Sequence, residues 1–385
     1  TIEVTGKRVV IWPFAPQHGA TETLEWKTDI VRSKSTEMRQ ALRRVPRQGF
    51  EYTFFMDEQQ YTMAKAMAYG WSHRTFAVPV WYESTPVGDV TSGAGSIMLT
   101  TANADYREND IVLIWENHVK NEACEVIAIS ADTLTFKIPV QNSYTSAYVM
   151  PVRYALTKAG LSAKRDSNKS VTSNIEFEVT DNIDLSATVG LPTYLGYEVL
   201  EDTMYSVGDS SEKIVRDVTV IDNGLSRPVY DPVYTYAREE LTVSWSVKSK
   251  ADLWRVRKWI HSRRGKQKSF WLPTNMKSYV VIADLTTTTA ALNIENSWHT
   301  LYRTESYIKL RTKSGVIHYN KVTGASVNID GTESLYLANA VGINIAAADI
   351  DYVCQMHRVR FDSDRIEISH DVGSANISVP VVEVP

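Results

Sequence analysis

A chain of 385 residues with 43% hydrophobic residues has material for about two or three buried cores. Its net charge of −4 gives no general case for holding nucleic acid through the phosphates, and no run approaches the roughly 20 apolar residues of a membrane helix. The two cysteines, Cys124 and Cys354, argue against a disulfide framework and for reduced thiols. The opening stretch TIEVTGKRVVIWPF lacks the basic-then-apolar layout of a signal peptide, so a soluble chain is expected.

In chain order, residues 7 to 14 and 21 to 32 read as strands. From Arg47, the alternation of Phe50, Tyr52, Phe54 and Met56 predicts a strand with one buried face. Asp57 and Gln60 have the spacing of a capping box, and Tyr61, Ala64, Ala68 and Trp71 behind it fall at helical spacing. The helix gives way to FAVPVW (76 to 81), where Pro79 predicts a strand at an edge or leaving the sheet. SIMLTT, DIVLIWEN, EACEVIAIS, DTLTFKIP and AYVMPVRYAL then read as short strands, and the run closes on Asn174 to Val179.

The same order of events recurs from Arg238. Leu241, Val243, Trp245 and Val247 alternate, Ser249 and Asp252 form a weaker cap, and Leu253, Val256 and Ile260 make a helical stripe before FWLP (270 to 273). Short strands follow (SYIKLRT, GVIHYNKV, ASVNID, ESLYLANA, DIDYVCQMHRVRF), and Asn376 to Val381 closes the run. Tyr106-Arg107-Glu108 and Tyr302-Arg303-Thr304 open the two strand-rich runs. A period near 190 residues is too long for a solenoid unit and predicts tandem domains. The expected fold is mainly β with two short helices: a duplicated β-sandwich plus helix, each copy carrying an inserted small β-barrel or sandwich. The first domain takes 1–83 and 151–182 with an insert at 84–150; after a linker at 183–193, the second takes 194–284 and 356–385 with an insert at 285–355.

Chemistry-bearing motifs are sparse. His18, His73, His118, His261, His299, His318, His357 and His370 are scattered, with no metal-ligand spacing among them. SGAGS (92 to 96) lacks the Gly-Lys-Ser/Thr of a phosphate loop, and Asp349/Asp351 and Asp362/Asp364 lack the further ligands of a calcium site. No catalytic, cofactor-binding or metal residue is assigned, and no enzyme is expected. The turn HSRRGKQK (261 to 268) carries Arg263, Arg264, Lys266 and Lys268, with His261 as a further cation when protonated; its counterpart GWSHRT carries Arg74 and His73. These positive charges are read either as solvated turns or as assembly contacts to an acidic rim. Trp115, Trp298 and Tyr302 are the aromatics that would stack on sugar rings, with core packing as the simpler role.

The segment EWKTDIVRSKSTEMRQALRRVPR (25 to 47) and the strand, helix and FAVPVW after it resemble distal tail proteins of long-tailed bacteriophages. They are similar also to the distal tail proteins of gene transfer agents and to the lambda-type minor tail protein M. Thr28, Asp29, Ser33, Glu37 and Arg39 match the first part of that family's pattern; Arg238, the helix after Ser249, Gly265, Phe270, Trp271 and Pro273 match the second. Thr36 stands where the family often has glycine, and the Thr-Asp segment has only a vague counterpart near Asp217 to Asn223. The resemblance implies a tail-tube-like fold and a ring that continues the tail tube. It also implies assembly in the host cytoplasm, a place at the virion tail tip, and the tail tube protein with other tip, hub or fibre proteins as partners. No membrane anchor and no specific nucleic-acid contact are expected, although DNA passes through such rings. Two tube-like domains per chain predict a homotrimer with pseudo-sixfold symmetry, with a homohexamer as the alternative. The competing expectation is a host-surface carbohydrate-binding module.

Overall fold

A computed structural model describes residues 2–4, 7–17, 19–33, 36–71, 73–201, 212–216, 218–232, 237–301 and 306–384. His18, Asp217 and Tyr302-Arg303-Thr304 lie outside the described residues. Among the described residues the chain is mainly β with two α-helices, as its alternation and caps predict.

The framework strands of the first half are β1 (Lys7–Ile11), β2 (Ala20–Arg32), β3 (Glu37–Asp57), β4 (Phe76–Pro79), β5 (Tyr144–Thr157), β6 (Ser162–Arg165) and β7 (Ser170–Val179), with helix α1 at Glu58–Trp71. Those of the second are β8 (Glu212–Val215), β9 (Arg238–Val247), β10 (Phe270–Pro273), β11 (Ile350–Phe361), β12 (Arg365–Asp371) and β13 (Ser374–Glu383), with α2 at Lys250–Arg263. Along β3, Phe50, Tyr52, Phe54 and Met56 are buried while Glu51, Phe55 and Asp57 face out, so strict alternation sets one core face. Both caps form. The Asp57 amide donates to Gln60 Oε1 at 3.1 Å and the Gln60 amide to Asp57 Oδ1 at 2.8 Å, while the Asp252 amide donates to Ser249 Oγ at 3.1 Å.

In the first half β3 pairs with β7, placing Tyr52 opposite Ile175, and β4 pairs with β5, placing Phe76 opposite Ala155. In the second, β9 pairs with β13, placing Val243 opposite Val379, and β10 pairs with β11, placing Phe270 opposite Val359. Pro79 and Pro273 both lie past the point where a second neighbour bonds their strands: β1 reaches only Phe76 and Ala77, and Val199 bridges Trp271. A missing N–H there leaves no ladder bond unmade. One junction joins the halves into a continuous sheet. Strand β12 pairs on one side with β13 and on the other with β2, Ile368 lying opposite Glu22 and Ile366 opposite Leu24.

Two aromatic cores fill the framework. Trp12 packs among Phe14, Phe54, Phe76 and Phe177 at ring separations of 5.2 to 5.9 Å, and Trp259 packs on Phe270 and Phe361 at 5.0 and 5.7 Å. The second of these cores takes in Leu24 and Trp26 from β2. Two further cores are built from short strands: one from Val90, Val112, Ile114, Val126, Leu134 and Val149, the other from Leu285, Leu292, Ile308, Val322, Leu335 and Val353. Strands β5 and β11 are continuous from these cores into the framework, so the expected boundaries at 150/151 and 355/356 fall inside single strands. GVIHYNKV and ASVNID, expected as two strands, form one, Ile317–Val327, with a register shift between Val322 and Gly324. A bulge of this kind bends a strand without ending it.

Candidate functional site

The densest chemistry lies where the halves meet. Glu22 on β2 shares the inward face with Leu24 and Trp26, and all three are fully buried. Arg257 projects from α2 into the same place. Its Nη2 donates to Glu22 Oε1, and to the Tyr82 hydroxyl at 3.1 Å; its Nη1 donates to Glu83 Oε1 at 2.8 Å. Gln48 Nε2 donates to Glu22 Oε1 at 2.6 Å, and His370 Nε2 lies 3.2 Å from Glu22 Oε2. The His370 ring stacks flat on Tyr82, 3.6 Å between centroids. Burial opposes the Glu22 charge, but Arg257, His370 and Gln48 outweigh it and hold the carboxyl well below the usual range. Burial lowers the His370 pKa while the neighbouring Glu22 works against that shift. The arrangement is a charge-compensated lock across the joint, in which every strongly buried ion has a partner.

Two satellites extend it. Arg153, buried on β5, donates to Asp105 Oδ2 at 2.9 Å and Asp110 Oδ2 at 3.1 Å, and Arg107 bridges Asp105 to Asp181. This ties a short-strand core to the framework. On the far side, the β2–β3 hairpin docks onto the second half: Glu37 Oε1 accepts from Arg360 Nε at 2.7 Å, and Arg39 Nη2 donates to Ser269 Oγ at 2.8 Å. The Thr28 amide and hydroxyl both donate to the Asp364 carboxylate at 2.8 Å, which also accepts the Lys266 amide at 3.0 Å. Thr28 and Arg39 are thus brought to the segment after α2, and Glu37 to Arg360 on β11. Asp29 faces solvent, and Ser33 makes a local turn with Thr36.

The basic turn is largely satisfied from within. Arg263 is buried and pairs with Glu198 at 2.8 Å, Arg264 reaches Asp184 at 3.3 Å, and Lys266 lies 3.9 Å from Asp362. Arg263 also donates to the Ser269 carbonyl at 3.2 Å, so its guanidinium is turned inward. Lys268 and Arg74 are exposed, the latter over the Trp71 ring at 4.6 Å. His261 is buried against Trp26 and its pKa falls to about 4, burial being the main cause and Arg257 the next. It adds no positive charge at neutral pH.

Trp115 is half-buried with its Nε1 on the Pro13 carbonyl at 2.9 Å and its ring against Trp81, a packing role. Trp298 is 70% exposed beside a shallow cavity of about 290 Å³ lined by Ser278, Tyr279, Ser297, His299 and Gln355. Its φ is 57°, and its backbone N–H donates to Asn296 Oδ1 at 3.1 Å. Among the described residues, no three His, Cys, Asp or Glu groups come together as a metal set.

Sheet edges and apolar projections complete the surface. Among the described residues, β6 pairs only with β7 and β8 only with β9, so each presents a free edge. Beside β6 a groove of about 310 Å³ is lined by Trp12, Tyr61, Lys65, Tyr69, Leu161 and Ile175. The hairpin 218–232 exposes Val220, Ile221, Leu225, Val229 and Tyr230. Nothing in the sequence pattern singled out Glu22 or Arg257, although both were findable: each is a charge on an otherwise apolar face, Glu22 at period two with Leu24, Arg257 between Leu253 and Ile260. Comparison with protein-family models and with curated proteins finds no match for this chain.

Proposed function

We propose that this chain is a structural protein of the tail tip of a long-tailed bacteriophage, a distal tail or hub ring that continues the tail tube and joins it to the tip or fibres. The observation that carries the reading is the recurrence of one pairing register. Tyr52 meets Ile175 as Val243 meets Val379, and Ala155 meets Val179 as Val359 meets Glu383. Such agreement over several strands supports a duplicated tail-tube-like domain, with the two short-strand cores as inserted modules on the outside of the ring. The β2–β12 joint supports the ring itself, because a sheet that runs from one domain into the next is the means by which a tube wall is closed. Three chains then supply six domains, with threefold true and sixfold approximate symmetry. In this reading the partners are the tail tube protein and other tip, hub or fibre proteins. The chain performs no catalysis, needs no cofactor, and lets DNA pass without binding it specifically.

A second reading, a carbohydrate-binding module, is favoured by one feature: an exposed tryptophan in a left-handed backbone conformation beside hydroxyl and amide groups. Cryo-electron microscopy of purified virion tails separates the two. The ring reading expects three copies at the tip surrounding a channel. Absence from the tail, together with glycan binding that Trp298→Ala abolishes, would overturn it.

A further inference from the structure

The joint within the chain is a template for a joint between chains, and among the described residues its two unmatched halves are at β6 and β8. Resting on the duplicated-ring reading above, we infer that β6 of one copy pairs antiparallel with β8 of the next, Ala163 opposite Glu212, and that Ile214 of the second copy fills the groove beside β6.

The register follows strand by strand. Phe54 lies opposite Ser173 and Trp245 opposite Ile377, so Ser173 and Ile377 are equivalent. Ala163 faces Ser173 as Ile368 faces Ile377, which makes Ala163 the counterpart of Ile368. On the other side, Glu212 faces Leu241 as Glu22 faces Phe50, which makes Glu212 the counterpart of Glu22. Within the chain Ile368 meets Glu22 and Ile366 meets Leu24. Between chains the same geometry brings Ala163 to Glu212 and Leu161 to Ile214.

Side-chain chemistry, which played no part in that alignment, agrees with it. Leu24 is 1% exposed while its counterpart Ile214 is 70% exposed, an apolar residue left in water by a single copy. The groove beside Leu161 includes Phe76 and Ile175, whose counterparts Phe270 and Val379 share a core with Leu24 and Trp26. It is therefore empty at the place where β2 fills the second half. The charges match as well. Lys65 stands as far into α1 as Arg257 stands into α2, and Lys65 and Glu212 are both exposed. An ion pair between Lys65 and Glu212 of the neighbouring copy would repeat the Arg257–Glu22 pair. Because different patches meet, the contact is heterologous, and it closes into a ring when the rotation between domains allows.

Light scattering of the purified chain with Lys65→Glu, Glu212→Lys and the double charge-swap tests the joint on surface positions that leave the cores intact. The wild type is expected to form a trimer, each single variant to weaken association roughly tenfold or more, and the double variant to recover it. A chain carrying Ala163→Cys and Glu212→Cys, oxidised, should give cross-linked species of two and three chains and none larger; the native cysteines are buried and stay out of this reaction. Trimers that ignore the charge reversals and do not cross-link would overturn the edge joint while leaving the ring standing on another contact. A wild type that stays monomeric at its highest soluble concentration and does not cross-link through the two new cysteines would overturn both.

Discussion

Arg257 illustrates how a residue's worth here depends on its company. A guanidinium with Glu22, Glu83 and Tyr82 around it is tolerated in a dry site only because each charge is answered at hydrogen-bond distance. His357 is the titratable counterpart. Burial works against charging it, but Glu239 at 3.0 Å and Glu383 at 3.5 Å outweigh burial and raise its pKa from 6.5 to about 9. A raised pKa in the folded state means the stabilisation is complete below pH 6.5 and is lost as pH rises through about 9. Chemical denaturation across that window should show stability falling by up to about 3 kcal/mol, an upper bound from the size of the shift. His357→Gln should flatten the slope, and a slope unchanged by the substitution would remove His357 as its origin. At the acid end the sign reverses: Glu22, held below its ordinary 4.5, contributes above that value and loses its contribution below it.

Among the elements, the turn after α2 is the most tightly specified. Arg264 closes the helix in the left-handed region, its amide bonding the Ile260 carbonyl, and Gly265 follows at φ 59°. A Cβ on Gly265 would collide with the Asp364 carboxylate and come within 3.2 Å of Trp26 Cβ. Asp364 is the group that holds Thr28 and Lys266, so a side chain there would push the β2–β3 hairpin off the second half. Gly265→Ala should cost about 2 kcal/mol from backbone strain and overpacking together, read as a lowered melting temperature. A change within a few tenths of a kcal/mol would show that the hairpin docks independently of this turn. The hairpin is further held by Glu37 on Arg360 and Arg39 on Ser269.

Across the whole molecule, β2, β12 and the buried ion cluster make one body of two framework halves. The sheet joint supplies backbone bonds, and Arg257 supplies the side-chain lock, so the halves are expected to unfold together. Arg257→Met strips two buried carboxylates of their cation and should cost about 3–5 kcal/mol. It should also separate the denaturation profile into two transitions as the halves uncouple. A single transition with less than about 1 kcal/mol lost would show that the sheet joint alone holds them. In a ring, each domain boundary would carry the same pair of devices, one inside the chain and one between chains.

Both capped helices, the alternation of Phe50 to Met56 and of Leu241 to Val247, and the proline-terminated β4 and β10 were legible in the residues alone, whereas β6, β8 and β12 were not. Each of the legible features depends on spacing within a few positions, where the period of the backbone decides which side chains face inward. The turn charges show the limit of that reading. Arg263, Arg264 and Lys266 look like a solvated patch in sequence, yet Glu198, Asp184 and Asp362 take them up from segments distant along the chain. Likewise, Glu22 and Arg257 stand 235 residues apart and form one cluster, and the positions 150 and 355 lie inside strands that serve two cores. Such choices belong to tertiary structure because a strand edge or a buried charge specifies only that it needs a partner. Which partner it finds is decided by how the chain closes, a matter of long-range packing and desolvation that no local period encodes.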